Sequence, residues 1–227
     1  MNSACGVCEG KRLKPLFRLD SPCLMSDSEL VDISVKKDFC CDCGVVLTDP
    51  SDRAAMSARY SEEYALASRE ISGEVKGYDS GVETSRSLLA AAWIKSLLVA
   101  SQIRLQGLFV LEIGSGTGTL AGVLENKFGS SVVCVEPNKT AREACHSRGI
   151  QCKASLEEVT ETFDLVIFFT SLEHIENPRE YIRNTKNLIK NDGHILIVVP
   201  ESKDRSYDYF YGDHLYHFSA RSLEYMM

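Results

Sequence analysis

The chain has 227 residues, 44% hydrophobic and 25% charged, with a net charge of −7 and a pI near 5.3. That length holds one large domain, or an ordinary domain with a small one, and the composition is that of a globular protein. The acidic balance argues against a nucleic-acid binder, which needs a basic face, and no apolar run approaches the roughly 18 residues of a membrane span.

Residues 1–50 carry six of the nine cysteines: Cys5, Cys8, Cys23, Cys40, Cys41 and Cys43. The N-terminal MNSACGVCEGKR lacks the apolar core of a secretory signal, so a cytoplasmic, reducing location is expected. There, metal ligands and buried thiols are expected rather than disulfides. Cys5-x-x-Cys8 and Cys40-x-x-Cys43 can each present two thiolates from a tight turn. Two such turns make a closed tetrahedral site, which suits a structural Zn²⁺ and leaves no position open for catalysis. Cys41 falls outside the spacing, and Cys23 reads as packing or a free thiol. With so little apolar sequence in residues 1–50, the metal would supply much of that module's folding free energy.

Residues 51–84 are polar and weakly patterned and read as a linker with one short helix near SEEYALASRE. A helix is predicted from Ser85 to Gln102, with Leu88, Leu89, Ala92, Trp93, Leu97 and Leu98 at helical spacing. From residue 107 the pattern alternates. LFVLEIG, SVVCVEP, FDLVIFF and HILIVVP read as strands, and TLAGVLENKF, KTAREACHSRG and PREYIRNTKNLIK as helices. The last helix has Asn177 as N-cap and Pro178 at its first position. Short apolar strands alternating with helices predict an α/β fold, a parallel sheet with helices on both faces. Ligands of such open sheets sit at the carboxyl ends of the strands.

At one of those ends stands VLEIGSGTG, Val110 to Gly118. Its glycines follow a strand and open a helix, where they let a ligand approach the main chain. The spacing is GxGxG rather than the dinucleotide GxGxxG. Glu136 ends the next strand about 20 residues on, where a carboxylate can accept from both ribose hydroxyls.

EIGSGTG, VEP, FDLVIFFTSLEHI and the helix followed by NDGHILIVVP together resemble the class I S-adenosylmethionine-dependent methyltransferases, over residues 85–227. The resemblance implies their Rossmann-like sheet and their methyl donor. Gly114, Ser115 and Gly116 would pass near its methionine part, Glu136 would hold the ribose, and Ser155 and Leu156 are candidates for the adenine. Glu112, Gly118, Pro137 and Thr170 complete the expected cofactor set. The arrangement CxxC, LFRLDSPCLMSDSE, FCCDCGVVLTDP looks like the zinc-binding domain of bacterial methyltransferases of sugar and natural-product biosynthesis, several of them C-methyltransferases acting on nucleotide-linked deoxy-keto-sugars. The implied division is 1–50 zinc module, 51–84 linker and 85–227 methyltransferase domain. The chain ends at FSARSLEYMM where such a sheet normally adds two strands, so the domain is expected to be incomplete at its C-terminus.

Methyl transfer is an in-line displacement that needs alignment and, for a weak nucleophile, a base. His174, in TSLEHIENP, has the right titration range; it either moves a proton or lines the pocket. Tyr211-x-Asp213-His214 resembles the Tyr-x-Glu-His motif of the sugar C-methyltransferases, with aspartate in place of glutamate. DHLYHFS resembles equally the DHxxxFS/T pattern in which the histidine organises the pocket. The expected partner is a small-molecule acceptor, such as an activated sugar, with no nucleic acid and no membrane. An RNA-modifying methyltransferase and a non-catalytic zinc-binding remnant are the alternatives.

Overall fold

The computed structural model describes residues 4–63, 76–79, 82–201 and 206–227. The contacts form two compact units: Met1–Glu63 with Thr170–Lys186 and Val198–Met227, and Tyr64–Phe169 with Asn187–Ile197. This differs from the division at residues 50 and 84 read from the sequence.

The first unit begins with strands β1 (Leu13–Leu19), β2 (Cys23–Leu24), β3 (Leu30–Val31), β4 (Val35–Cys40) and β5 (Val46–Thr48). β1 pairs antiparallel with β4, and β4 with β5. Helix α1 (Pro50–Glu63) follows at once. Its start is set by Asp49, whose carboxylate accepts the Ser51 amide N–H at 2.8 Å, and by Pro50, which needs no amide partner in a first turn. The short helix foreseen near residues 61–70 therefore begins earlier; residues 64–70 lie outside the described ones.

The first described elements of the second unit are an antiparallel pair absent from the sequence reading, β6 (Lys76–Asp79) with β7 (Val82–Ser85). Helix α2 (Arg86–Ala100) is capped by Ser85, whose hydroxyl accepts the Leu88 amide N–H at 3.2 Å. It buries Ala90, Ala91, Ile94 and Leu98, while Trp93 and Leu97 stay exposed. The helix is apolar nearly all round, so spacing alone could not select that face.

The sheet of this unit comprises β8 (Phe109–Ile113), β9 (Ser131–Val135), β10 (Gln151–Lys153), β11 (Phe163–Phe169) and β12 (Ile189–Val198), in the order β10-β9-β8-β11-β12. β10 with β9, β9 with β8, and β8 with β11 run parallel. Helices α3 (Thr119–Phe128) and α4 (Lys139–Ser147) make the crossovers. One sheet face packs Val110, Val132, Cys134, Leu165 and Ile167 against Ile94, Leu98, Leu120, Leu124 and Cys145 of the helices. Leu111, Ile113, Val133, Val135, Val166 and Phe168 point the other way and are also buried. Burial on both faces explains the unbroken apolar runs. The chain lays β9 and β10 to one side of β8 and then returns to place β11 and β12 on the other. The carboxyl ends of β8 and β11 thus flank the topological switch point. At the edge, Gly193 is required: a Cβ there would stand 2.9 Å from the Phe163 carbonyl oxygen.

The remaining segments belong to the first unit. Helix α5 (Pro178–Lys186) stops short of the expected residue 190, because by Leu188 the chain has joined the sheet ladder, its carbonyl accepting the Phe163 amide at 2.8 Å. Strand β13 (Tyr216–His217) pairs antiparallel with β5, Tyr216 opposite Leu47 and His217 opposite Val46, and helix α6 (Ala220–Glu224) follows. The aromatic stretch around residue 214 therefore completes the four-stranded sheet β1-β4-β5-β13. Among the described residues, no helix is long and apolar enough to cross a membrane.

Candidate functional sites

In the second unit, Gly114 and Gly116 take positive φ values of 71° and 56°, and Gly118 one of 73°. A left-handed backbone favours glycine. Gly118 is also hemmed in: a Cβ would meet Cys145 Sγ at 2.8 Å. The Gly114 amide donates to the Val135 carbonyl at 2.8 Å, hooking the loop onto β9. Glu136, 3% exposed, accepts the Gly116 amide N–H on Oε2 and the Asn138 amide N–H on Oε1, each at 2.9 Å. Each oxygen keeps a lone pair for a further donor. Burial pushes this carboxyl up to about 7, and the two amides only partly offset it. The buried carboxylate thus stands at the carboxyl end of β9, where ligands of open α/β sheets bind.

The other expected cofactor residues are distributed as follows. Glu112 is buried on β8, and Ser115 is buried with its hydroxyl 3.8 Å from Cys145 Sγ. Pro137 is exposed. Ser155 precedes the 3-10 turn Leu156–Glu158, and Leu156 is buried. Thr170 falls in the first unit; its φ of 50° is uncommon for a β-branched residue, and its amide donates to the Val198 carbonyl at 2.8 Å.

In the first unit, Cys5, Cys8, Cys40 and Cys43 converge, with all four sulfurs within 4.8 Å of one another. Cys5 Sγ lies 3.8 Å from Cys43 Sγ, and Cys8 Sγ 3.6 Å from Cys40 Sγ. The Val7 and Gly10 amides donate to Cys5 Sγ and Cys8 Sγ at 3.5 and 3.4 Å, which favours thiolates. A tetrahedron of sulfurs at 2.3 Å from Zn²⁺ has edges of about 3.8 Å. The donor set therefore fits the ion. Cys41 and Cys23 stand outside this group.

His174, Asp213 and His214 also lie in the first unit and are nearly fully buried, whereas Tyr211 is half-buried. They form one network, but not with the pairing their order suggests. Asp213 accepts the Ser26 amide N–H at 2.8 Å and the Ser26 hydroxyl at 2.6 Å. Its backbone carbonyl accepts from His174 Nδ1 at 3.0 Å. The carboxylate nearest His214 belongs to Asp208: His214 Nδ1 is 2.7 Å from Asp208 Oδ1, and His217 Nδ1 is 2.7 Å from Oδ2. Lys37, wholly buried, donates to Thr48 Oγ1 (3.1 Å) and to the carbonyls of Tyr211 (3.1 Å) and His214 (2.7 Å). The Tyr60 ring stacks on His174 at 4.2 Å.

The electrostatics separate the three histidines. Burial, then the charge of His214, lowers His174 to about 4. Burial, then Lys37, lowers His217 to about 3. His214 alone moves up: burial opposes its charge, but Asp208, Glu173 and Asp213 more than compensate. Burial opposes the charge of Asp208, but the nearby His214 and His217 imidazoles outweigh it and carry the carboxyl well below its ordinary range. Glu173 is pushed by burial to about 7. Sequence reasoning missed Asp208, Ser26 and Lys37. Lys37 alone left a signal, a lysine at an inward position of β4 two residues after Val35.

Residues 85–227 match the family model described as a methyltransferase domain. The chain is 29% identical over 115 residues to the ubiquinone biosynthesis O-methyltransferase of Aliivibrio fischeri, covering 44% of this chain and 49% of that protein. It is 34% identical over 93 residues to an uncharacterized protein of Methanocaldococcus jannaschii, covering 39% and 43%. The matches thus span about half the length of these curated relatives or less. Among solved structures, the plantazolicin methyltransferase BpumL in complex with SAH superposes with a TM-score of 0.58 at 12% identity, covering 78% of this chain and 73% of that one. The magnesium protoporphyrin IX methyltransferase of Synechocystis PCC 6803 with bound SAH gives 0.54 at 16%, covering 77% and 87%. At those identities the likeness is one of fold. With the glycine loop, the acidic strand end and the matched residues in agreement, the chain belongs to the methyltransferase domain family.

Proposed function

We propose that the protein methylates a small-molecule acceptor, of the nucleotide-linked sugar or polysaccharide-precursor class, using S-adenosylmethionine as donor. The observation that carries this reading is the Glu136 carboxylate, 2.9 Å from the Gly116 amide at the carboxyl end of β9. When bound, S-adenosylmethionine supplies an electrophilic methyl group. Gly114, Ser115 and Gly116 would receive its methionine part, Glu136 its ribose hydroxyls, and Ser155 with Leu156 its adenine. The SAH bound to fold neighbours supports the donor.

His174, Tyr211, Asp213 and His214 are assigned to the acceptor. Tyr211, the half-buried member, is suited to contact it, and His214 to move its proton. Cys5, Cys8, Cys40 and Cys43 would hold a structural Zn²⁺, which supplies folding free energy to their module. The acidic net charge disfavours RNA as acceptor. A second reading, an oxygen acceptor, draws on the ubiquinone biosynthesis O-methyltransferase names of the curated relatives.

The test is methyl-labelled S-adenosylmethionine offered with nucleotide-linked deoxy-keto-sugars, with RNA and with hydroxylated quinone precursors. Label in the sugar is expected. Label only in RNA or only in the quinone precursors would overturn the acceptor class, and label in none of them would overturn the reading.

A further inference from the structure

We propose that Cys145 is a positioning residue for binding of the methyl donor: its S–H holds the Gly116 peptide against Glu136. The inference rests on the role just assigned to Glu136 and the glycine loop. Cys145 lies on α4, is fully buried, and donates from Sγ to the Gly116 carbonyl at 3.2 Å. The amide N–H of the same glycine donates to Glu136 Oε2 at 2.9 Å. Gly116 is therefore gripped at both of its polar groups, with its φ at 56°.

Both grips come from one piece of chain. The other Glu136 oxygen, Oε1, accepts the Asn138 amide N–H at 2.9 Å. Asn138 in turn caps α4, its side-chain oxygen accepting the Ala141 amide N–H at 3.0 Å. Cys145 follows about two helical turns later. The contacts thus close a circuit, from Gly116 to Glu136, to the start of α4, along the helix to Cys145, and back to Gly116. A shift of the thiol moves the Gly116 peptide, and with it the amide that orients the Glu136 carboxylate.

The loop is shaped to admit this sulfur. A Cβ on Gly118 would stand 2.8 Å from Cys145 Sγ, so only glycine leaves room for the thiol to reach the Gly116 carbonyl. The Ser115 hydroxyl lies 3.8 Å from the same sulfur. The thiol keeps its proton at neutral pH: Cys134 draws it down, but Cys152 and burial push it up to about 11. It is therefore an S–H donor rather than a thiolate, which would repel the carbonyl. Cys152, the neighbouring thiol on β10, turns instead to the Lys153 carbonyl, 3.8 Å away.

The S–H stretch falls in a clear region of the infrared spectrum and moves to lower frequency when the thiol donates. The wild-type spectrum minus that of Cys145→Ser isolates the Cys145 band, which is expected where a hydrogen-bonded thiol absorbs. Calorimetric titration with SAH measures the affinity. Cys145→Ala removes the S–H and should weaken SAH binding about threefold to tenfold. Its KM for S-adenosylmethionine should rise by more than its kcat falls. Cys145→Ser keeps a hydroxyl donor at the same place and should recover most of the affinity. A wild-type band at the free-thiol position would overturn the proposal, whether or not Cys145→Ala folds. So would wild-type SAH affinity in folded Cys145→Ala, or an equal loss in the alanine and serine variants, which is the mark of packing alone. Those results would leave the methyltransferase reading standing. A wild-type protein that takes up no SAH would instead overturn the Glu136 role on which the inference rests.

Discussion

His214 Nδ1 stands 2.7 Å from Asp208 Oδ1, while Asp213, its neighbour in sequence, is turned to Ser26. The Asp-His dipeptide is therefore not a dyad. Each half is held by a different segment: Asp213 by the turn after β2, and His214 by the 3-10 turn that contains Asp208. Lys37 of β4 fastens the backbone of the same loop through the Tyr211 and His214 carbonyls. The turn after β2 and strand β4 thus supply the Ser26 and Lys37 hydrogen bonds to the candidate acceptor loop.

Glu173 sets a pH dependence of stability. Burial raises its carboxyl from 4.5 to about 7. Between those values the folded chain holds a proton that the unfolded chain has released. Its contribution is fully present below pH 4.5 and is lost as pH rises through 7. Glu173→Gln keeps a neutral group of the same shape. It should match the wild type near pH 4 and exceed it at pH 8 by up to about 3 kcal/mol. Urea unfolding at the two pH values measures this, and an equal difference at both would contradict it.

Lys37 has the opposite dependence. Burial lowers its ammonium from 10.5 to about 7. Between pH 7 and 10.5 the unfolded chain binds the proton that the folded chain has lost, so this group's contribution to stability rises with pH. Lys37→Met keeps the stem but strips the Tyr211 and His214 carbonyls of their donor, a loss of about 3 kcal/mol at pH 7. The gap should widen toward pH 10. Unfolding curves of both proteins across that range test it, and a gap that narrows would contradict the assignment.

The four thiols predict one zinc per chain by elemental analysis. Cys8→Ser should lower metal content and melting temperature together, because a structural ion's binding energy is folding energy. A chelator should do the same to the wild type. A metal-free protein with an unmoved melting temperature would exclude the four-thiolate site.

How much was legible in the sequence follows from range. β8, β9, β11 and the apolar half of β12 were readable because each is a short apolar run closed by a glycine loop, proline or polar turn, and the covered sheet follows from that alternation; β10, the three residues Gln151–Lys153, has no such run. Gly116 and Glu136 were each readable as candidates from the glycine spacing and the acidic strand end, but the hydrogen bond between them was not. The pairing of β13 with β5 joins residues about 170 apart, and nothing in LYHF marks Val46 or Leu47 as its partner. Ser26 and Lys37 reach the same loop across similar separations. Asp208 is close in sequence to His214, but a second aspartate, Asp213, stood nearer and drew the expectation. The α2 face was unreadable because apolar residues surround the helix.

The donor site proposed above rests on Glu136. Its carboxyl is pushed by burial to about 7, and the charged form is the better acceptor of two ribose hydroxyls. Calorimetric titration with S-adenosylmethionine or SAH should show one site per chain, tightening from pH 6 to pH 8. Glu136→Ala should weaken it by about tenfold to a hundredfold and abolish the pH dependence. Equal binding by wild type and Glu136→Ala would contradict the account.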